Sequence, residues 1–552
     1  MDDVDAVQAQ IARNMLQSGD WVTAHLDGIA YLEKSPLKYW MMATSFAIFG
    51  VKDWAARLPL AFSVIALCWV TARFGVWAFG RKAGFYAGLT LATCVGLFLF
   101  TRIQIPDAIL TLTITIALWS FLRALEEDSR WAYLMWASIG VGLLLKGLIA
   151  ALFPVAAAVL YLLFTKSDWR RLKPISGIAV LLLIAAPWHV LATLRNPPYF
   201  DFTMHSEAGS YRGFFWFYFI NEHVLRFLNL RYPRDYNTVP RAYFWAFHLL
   251  WLFPWSAYLP AAAGGESRTI DRAGRARLLA FCWIGFILIF FTFSTTQEYY
   301  SMPSYPALAL LIGAGLDRGG RLVHYGTRAI AVIATLAFVA IVAILIAVRN
   351  IPAPGDIASA LTQNPDLYTL SLGHMTDLTL NSFAYLRLPL VVAGVAFLVG
   401  AVSAWRLRES HAILGIAVMM ALFFHAARLA LVDFDPYLGS RPLAEALNTA
   451  PPGQLIVDDQ YYAFSSVFFY TNRTALLLNG RVNNLEYGSY APDAPRDVFI
   501  DDAGFRERWL SQDLYYICVE KPQVERLEKL VSREALHPVI ESGGKFVFRN
   551  RG

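Results

Sequence analysis

Residues 328–348 read Arg-Ala-Ile-Ala-Val-Ile-Ala-Thr-Leu-Ala-Phe-Val-Ala-Ile-Val-Ala-Ile-Leu-Ile-Ala-Val, one charge followed by an uninterrupted apolar run. A helix rises about 1.5 Å per residue, so roughly twenty such residues cross the roughly 30 Å of a hydrocarbon core. Comparable runs lie at 56–79, 83–101, 108–124, 131–146, 148–165, 176–194, 243–262, 278–294, 302–316, 388–405 and 411–431, which with 328–348 makes twelve. The composition agrees: 57% of residues are hydrophobic and 16% charged, against roughly 25% charged in a soluble domain. The chain reads as a polytopic α-helical membrane protein.

Orientation follows from the basic loops, because short loops rich in Lys and Arg stay cytoplasmic. Arg81-Lys82, Lys166 to Lys173, Arg268 to Arg277, Arg318 to Arg328 and Arg406 to Arg408 fall on one side. The opposite, outer side receives 1–55, 102–107, 195–242, 295–301, 349–387 and everything beyond 432. That places Met1 outside with no earlier segment to carry it across, so a further N-terminal helix is expected in the intact protein, thirteen spans in all. The net charge of +6 is accounted for by the cytoplasmic loops facing anionic lipid, and gives no reason to expect a nucleic-acid partner. Cys68, Cys94, Cys282 and Cys518 form no CxxC pair, so neither a disulfide framework nor a thiolate metal site is indicated.

Three domains are expected: an outer first loop with interfacial helices (1–55), a transmembrane part (56–431) with long outer loops at 195–242 and 349–387, and an α/β domain (432–552). In the last, Leu455 to Asp458, Ala475 to Leu478, Leu514 to Cys518 and Lys545 to Phe548 read as strands, with amphipathic helices at 503–511 and 522–532. Residues 5–16 place Val7, Ile11 and Leu16 near one helical face, which predicts an amphipathic helix lying on the membrane.

Charged residues beside or inside a bilayer are the candidates for chemistry. Asp2, Asp3 and Asp5 precede that first helix and suit either helix capping or an acidic site; Arg13, Glu33 and Lys34 share their loop. Asp107 follows Pro106 at the outer start of a span, where it can cap the helix or serve the site. Lys146 interrupts an apolar stretch, at a cost of about 2.5–3.5 kcal/mol for a charge at the bilayer centre, unless it snorkels to the interface or meets a partner such as a phosphate. His223 and Arg226 are three residues apart, a spacing that shares a helical face, and Arg226 can grip a phosphate bidentately with Arg212 nearby. Trp216, Phe217 and Tyr218 suit an interfacial belt; Tyr300 is either a belt residue or part of a cavity wall. Glu33 and His374 could together hold zinc or another divalent ion, the plainer alternative being an unliganded surface His.

Several segments taken in order resemble the bacterial aminoarabinose lipid A transferases, which group with the protein O-mannosyltransferases among lipid-sugar-dependent GT-C glycosyltransferases. They are Asp3-Val4-Asp5, Ala12 to Leu16, Gly19-Asp20-Trp21, Tyr31 to Trp40, Arg57-Leu58-Pro59, Arg102 to Asp107, Lys146-Gly147, Glu222 to Phe227 and Tyr300 to Pro303. The resemblance implies a polyprenyl monophosphate sugar as donor, an outer-leaflet acceptor hydroxyl or phosphate, on lipid A, another lipid or a protein Ser/Thr, and inversion at the anomeric carbon. It implies a site of Asp3 or Asp5 as base, Asp107, and a donor-binding set of Arg13, Glu33, Lys34, Lys146, His223, Arg226 and Tyr300. It also implies a bacterial inner membrane with the site on the periplasmic face. The family's usual Asp-Glu pair is here Asp3-Val4-Asp5, and the Lys that family members carry before Tyr-x-x-Pro is replaced by Thr296-Gln297-Glu298, so the donor sugar, aminoarabinose or another, stays open. A transporter or flippase of a lipid-linked sugar would use similar spans, but no two corresponding halves are visible. A sensor would leave the charged first loop unexplained.

Overall fold

The computed structural model describes residues 1–234, 239–264, 271–294, 297–362 and 372–551. The start of the basic loop at Arg268, Thr296, and parts of the outer loops 195–242, 295–301 and 349–387 lie outside the described residues.

All twelve apolar stretches are helical. Seven are single helices long and apolar enough to cross a bilayer: Asp53–Phe79, Asp107–Glu126, Trp169–Arg195, Arg272–Phe293, Arg321–Ala347, Arg387–Arg406 and Glu409–Asp433. Of these, Asp107–Glu126 is the most enclosed by protein and Arg321–Ala347 the least, so the polar N-terminus of the former enters the bundle centre while the latter faces lipid. Trp131–Lys146 and Ile149–Thr165 are apolar but shorter.

The remaining three stretches differ from the expectation of plain spans. Residues 83–101 split into Arg81–Ala92 and Val95–Phe100, 243–262 into Arg241–Trp251, a 3₁₀ turn Trp255–Tyr258 and Leu259–Ala263, and 302–316 starts in a 3₁₀ turn, Glu298–Ser304, before Tyr305–Arg318. Prolines 254, 260, 303 and 306 lack the N–H that a continuous helix needs. Apolar environments tolerate such breaks only where protein supplies the missing hydrogen bonds. Here two breaks serve each other: Val95 N–H donates to Phe253 O at 3.1 Å and Trp255 Nε1 donates to Thr93 Oγ1 at 3.0 Å.

The first helix, Asp3–Ser18, is capped by Asp2, whose carboxylate accepts from Asp5 N at 2.8 Å, and is closed by Gly19 in the left-handed region at φ 73°. It does not lie on the membrane. Val7, Ile11 and Met15 pack into one core with Leu443, Leu447, Leu455 and Val457, while Ala6, Ala9 and Ala12 pack with Met42, Ala43, Ala55 and Ala56. The apolar face read as a lipid-binding face is covered by the C-terminal domain. Asp20 then organises the turn by accepting from Val22 N and Thr23 N, and a short hairpin follows, β1 (His25–Leu26) with β2 (Ile29–Ala30).

The C-terminal sheet comprises β3 (Gln454–Asp458), β4 (Ala475–Leu478), β5 (Phe499–Ile500), β6 (Tyr515–Glu520), β7 (His537–Ser542) and β8 (Lys545–Arg549) in the order β5-β4-β3-β6-β8-β7. The first four in that order run parallel, and β8 pairs antiparallel with both β6 and β7. The predicted strands correspond to β3, β4, β6 and β8; β5 and β7 were not anticipated. The parallel strands are buried on both faces, as α/β sheets require.

Candidate active site

Between the outer loops and the bundle lies a cavity of about 430 Å³, within the range of small-molecule sites. Its polar wall comes from three places where the helices end. The loop ahead of Leu37–Phe49 supplies Glu33, Lys34 and Ser35, and that helix supplies Lys38. Asp107 begins the enclosed helix Asp107–Glu126, and Lys146 ends Trp131–Lys146. The segment Trp216–Leu225 is a π-helix and presents Glu222 and His223, with Arg226 immediately after.

Gly147 makes this convergence possible. It sits at φ 66°, where L side chains are strained, and a Cβ there would collide with the His223 ring and the Tyr218 hydroxyl. The bare backbone lets the π-helix approach, so that Leu148 N donates to His223 Nε2 at 3.2 Å while His223 Nδ1 donates to Tyr218 O at 2.5 Å. Both ring nitrogens are thereby assigned and the imidazole is neutral; burial pushes its pKa down.

The ion pairs are graded in how completely they are satisfied. Lys146 Nζ donates to Asp107 Oδ1 at 2.5 Å and lies over the Tyr300 ring at 4.7 Å. Asp107 is buried, and its Oδ2 has no hydrogen-bond partner among the described residues. Arg226 donates to Glu222 at 2.9 Å and to the Tyr300 hydroxyl at 3.3 Å, and stands 3.8 Å from Glu33 Oε1. Glu222 also pairs with Arg231. Burial alone would raise the Glu33 pKa, but Lys34, Arg231 and Arg226 bring it down to about 2, and Tyr31 donates to its other oxygen at 3.1 Å. Lys38, which was not singled out from the sequence, donates to Gln8 Oε1 at 2.6 Å and Gln104 O at 3.0 Å. Burial and the neighbouring Lys34 lower its pKa to about 7.

Of the sequence candidates, Asp107, Glu33, Lys34, Lys146, His223, Arg226 and Tyr300 line this one cavity. Three others do not. Asp3 is buried against the C-terminal domain, where Lys545 Nζ (2.6 Å), Ser440 Oγ (2.9 Å) and Ser466 N (2.7 Å) all donate to it. Asp5 accepts from Gln104 N at 2.6 Å and pairs with Arg57 behind the cavity wall; burial raises its pKa to about 7. Arg13 donates to Phe469 O at 2.7 Å. Arg212, considered as an assistant, pairs with Asp201 and Glu207.

Of the residues expected to hold a metal, Glu33 lines the cavity, where Lys34 and Arg226 meet its carboxylate. His374 sits 3.2 Å from Asp377 and against the Tyr437 ring, and no group of three or more His, Cys, Asp and Glu suited to a metal occurs among the described residues.

The other wall is apolar and opens toward lipid. Leu148, Ile149, Leu152, Phe153, Phe227, Phe290 and Phe291 form it, and Leu148 and Leu152 are 45% and 40% exposed on the outside of the bundle. A charged, enclosed head and an apolar, open flank suit an amphiphile with an anionic group.

By sequence and by fold the chain is similar to known membrane glycosyltransferases. Among these, it is similar to aminoarabinose transferases. Residues 33–190 match the family described as dolichyl-phosphate-mannose-protein mannosyltransferase. An undecaprenyl phosphate-alpha-4-amino-4-deoxy-L-arabinose arabinosyl transferase of Aeromonas salmonicida is 30% identical over 320 residues, 55% of this chain and 54% of that one. One from Erwinia tasmaniensis is 26% identical over 527 residues, 91% of this chain and 86% of the other. The chain thus spans about half the length of the first of these curated relatives and most of the second. The crystal structure of ArnT from Cupriavidus metallidurans bound to undecaprenyl phosphate superposes with a TM-score of 0.79 at 22% identity, covering 100% of this chain and 94% of that one.

Proposed function

We propose that this protein is an inverting glycosyltransferase that moves a sugar from a polyprenyl monophosphate carrier to an acceptor at the outer face of a bacterial inner membrane, with lipid A the favoured acceptor. The observation that carries the reading is the cavity itself: Lys146 lies over the Tyr300 ring and Arg226 donates to the Tyr300 hydroxyl, next to an apolar flank that opens to lipid. A polyprenyl chain lying along that flank delivers its phosphate to the two cations. The names of the relatives supply the carrier class, and the loop charges supply the outer, periplasmic face.

The chemistry asks for a base and for charge on the leaving group. The acceptor oxygen attacks the anomeric carbon, its bond to that carbon forms as the carbon–phosphate oxygen bond breaks, and the polyprenyl phosphate leaves with its charge met by Lys146 and Arg226. Where the acceptor is a hydroxyl, its proton goes to Asp107, which lines the cavity and whose buried Oδ2 has no hydrogen-bond partner among the described residues. Lys146 on Oδ1 holds that carboxylate in place. This assigns to Asp107 the role the sequence suggested for Asp3 or Asp5, both of which are committed elsewhere.

The test is reconstitution of the purified protein with undecaprenyl phosphate sugars and lipid A, with products read by mass spectrometry. Sugar transfer is expected, and Arg226→Ala should weaken donor binding by about thirtyfold or more, since a charge facing a desolvated partner is worth about 2 kcal/mol at least. Donor binding without transfer to lipid A, to other lipids or to a protein hydroxyl would overturn the enzymatic reading in favour of carriage.

A further inference from the structure

We infer that Lys38 is a donor-recognition residue that admits a neutral or acidic sugar and disfavours an amino sugar. This rests on the proposed transferase reading and deepens it. Lys146 adjoins the apolar residues Leu148 to Phe153 and Arg226 adjoins Phe227, so the phosphate and the lipid chain share that side of the cavity. Gln8 and Lys38 line the cavity from elements that add nothing to the apolar wall. The sugar, attached to the phosphate and too polar for the apolar flank, turns toward them.

Lys38 meets it with a primary amine whose direct partners are amide oxygens, Gln8 Oε1 and Gln104 O. An ammonium has three N–H donors, so one remains for the cavity, where a sugar hydroxyl or carboxylate can accept it. Charge works in the same direction. The lining side chains carry four cations, Lys34, Lys38, Lys146 and Arg226, and three carboxylates, Glu33, Asp107 and Glu222, so one phosphodiester balances the site. That phosphate also favours the protonated form of Lys38. An ammonium on the sugar would add an unbalanced charge beside another, a repulsion that survives in an enclosed site. The relatives named for 4-amino-4-deoxy-L-arabinose would therefore differ from this chain in donor.

The decisive experiment measures binding of undecaprenyl phosphate and of three synthetic donors, undecaprenyl phosphate linked to arabinose, to 4-amino-4-deoxy-arabinose and to a hexuronate. The full-length protein, Lys38→Met, Lys38→Gln and Lys38→Arg are compared in one detergent. The protein should bind the arabinose and hexuronate donors at least about tenfold more tightly than the amino sugar, a factor worth about 1.4 kcal/mol. Lys38→Met and Lys38→Gln should erase that preference while still binding undecaprenyl phosphate saturably, though more weakly, and Lys38→Arg should keep it; the Gln variant decides if Met fails to fold. Equal or tighter binding of the amino sugar, or a preference unchanged in both uncharged variants, overturns the assignment while leaving the transferase reading intact. Absence of saturable undecaprenyl phosphate binding overturns both.

Discussion

Two lysine–carboxylate pairs, the buried Asp3–Lys545 and the half-buried Asp107–Lys146, are alike in chemistry and opposite in consequence. Asp3 and Lys545 are 542 residues apart and close at 2.6 Å; Ser440 and Ser466 fill the remaining positions on the carboxylate, and the Lys545 amine also donates to Ala463 O. Asp107 and Lys146 close at 2.5 Å, but one Asp107 oxygen has no partner among the described residues and both residues line a cavity. A saturated pair fixes one arrangement of chain segments. A pair with capacity left over, facing a space that a substrate fits, can act on something else.

The sharpest way to break this distinction is Asp107→Asn. Asn keeps the size but not the basicity, so transfer should fall by about two to four orders of magnitude, with undecaprenyl phosphate still bound. Rates near wild type would remove Asp107 from the proton transfer and with it the meaning given to the unpartnered oxygen.

Second in size is the fixed pair. Removing one member of a buried ion pair leaves the other charge uncompensated, at a cost of about 3–5 kcal/mol. Lys545→Met and Asp3→Asn should each lower the unfolding temperature of the detergent-solubilised protein, while the fraction that stays folded transfers sugar within a few-fold of wild type. Loss of activity with unchanged stability would return Asp3 to the active site, where the sequence resemblance had put it.

The contrast also explains what could be read from the sequence. The apolar stretches announce themselves by length, and Lys146 and Asp107 stood out because charge in an apolar context is costly. Glu33, Lys34, His223, Arg226 and Tyr300 came from short ordered motifs. The surroundings of Asp3 could not be read because its partners, Ser440, Ser466 and Lys545, come from the far end of the chain, and nothing local distinguishes an acid that caps a helix from one that anchors a domain. The same long-range packing turned the apolar face of Asp3–Ser18 from lipid to the C-terminal domain. Lys38 was passed over because Leu37-Lys38-Tyr39 reads as an ordinary solvated charge at a helix start. Only tertiary contact with Gln8 and Gln104 buries it. The π-helix that brings His223 to Gly147 has no sequence signal that was recognised, although Lys146-Gly147 marked the spot it approaches.

The smallest expected effect separates Lys38 from the carboxylate-paired lysines. Its amine is held by amide oxygens and its pKa falls from the usual lysine value to about 7. Between pH 7 and about 10 the unfolded chain therefore keeps a proton on this lysine that the folded protein has released, and stability gains as pH rises, by at most about 1.4 kcal/mol per pH unit. The gain is lost as pH falls through 7. Asp5, raised to about 7, acts in the opposite sense and below that window, since the folded state holds its proton longer than the unfolded chain between about pH 4 and 7. Lys38→Met removes only the upper contribution. Unfolding temperatures of wild type and Lys38→Met, measured from pH 7 to 9 without donor, should thus diverge, the wild type rising relative to the variant. Adding undecaprenyl phosphate should shrink the divergence, because a bound anion favours the lysine proton and restores the ordinary ammonium in the folded state. Parallel curves in the absence of donor would mean that Lys38 is charged and fully compensated, no different in kind from the fixed pair at Asp3.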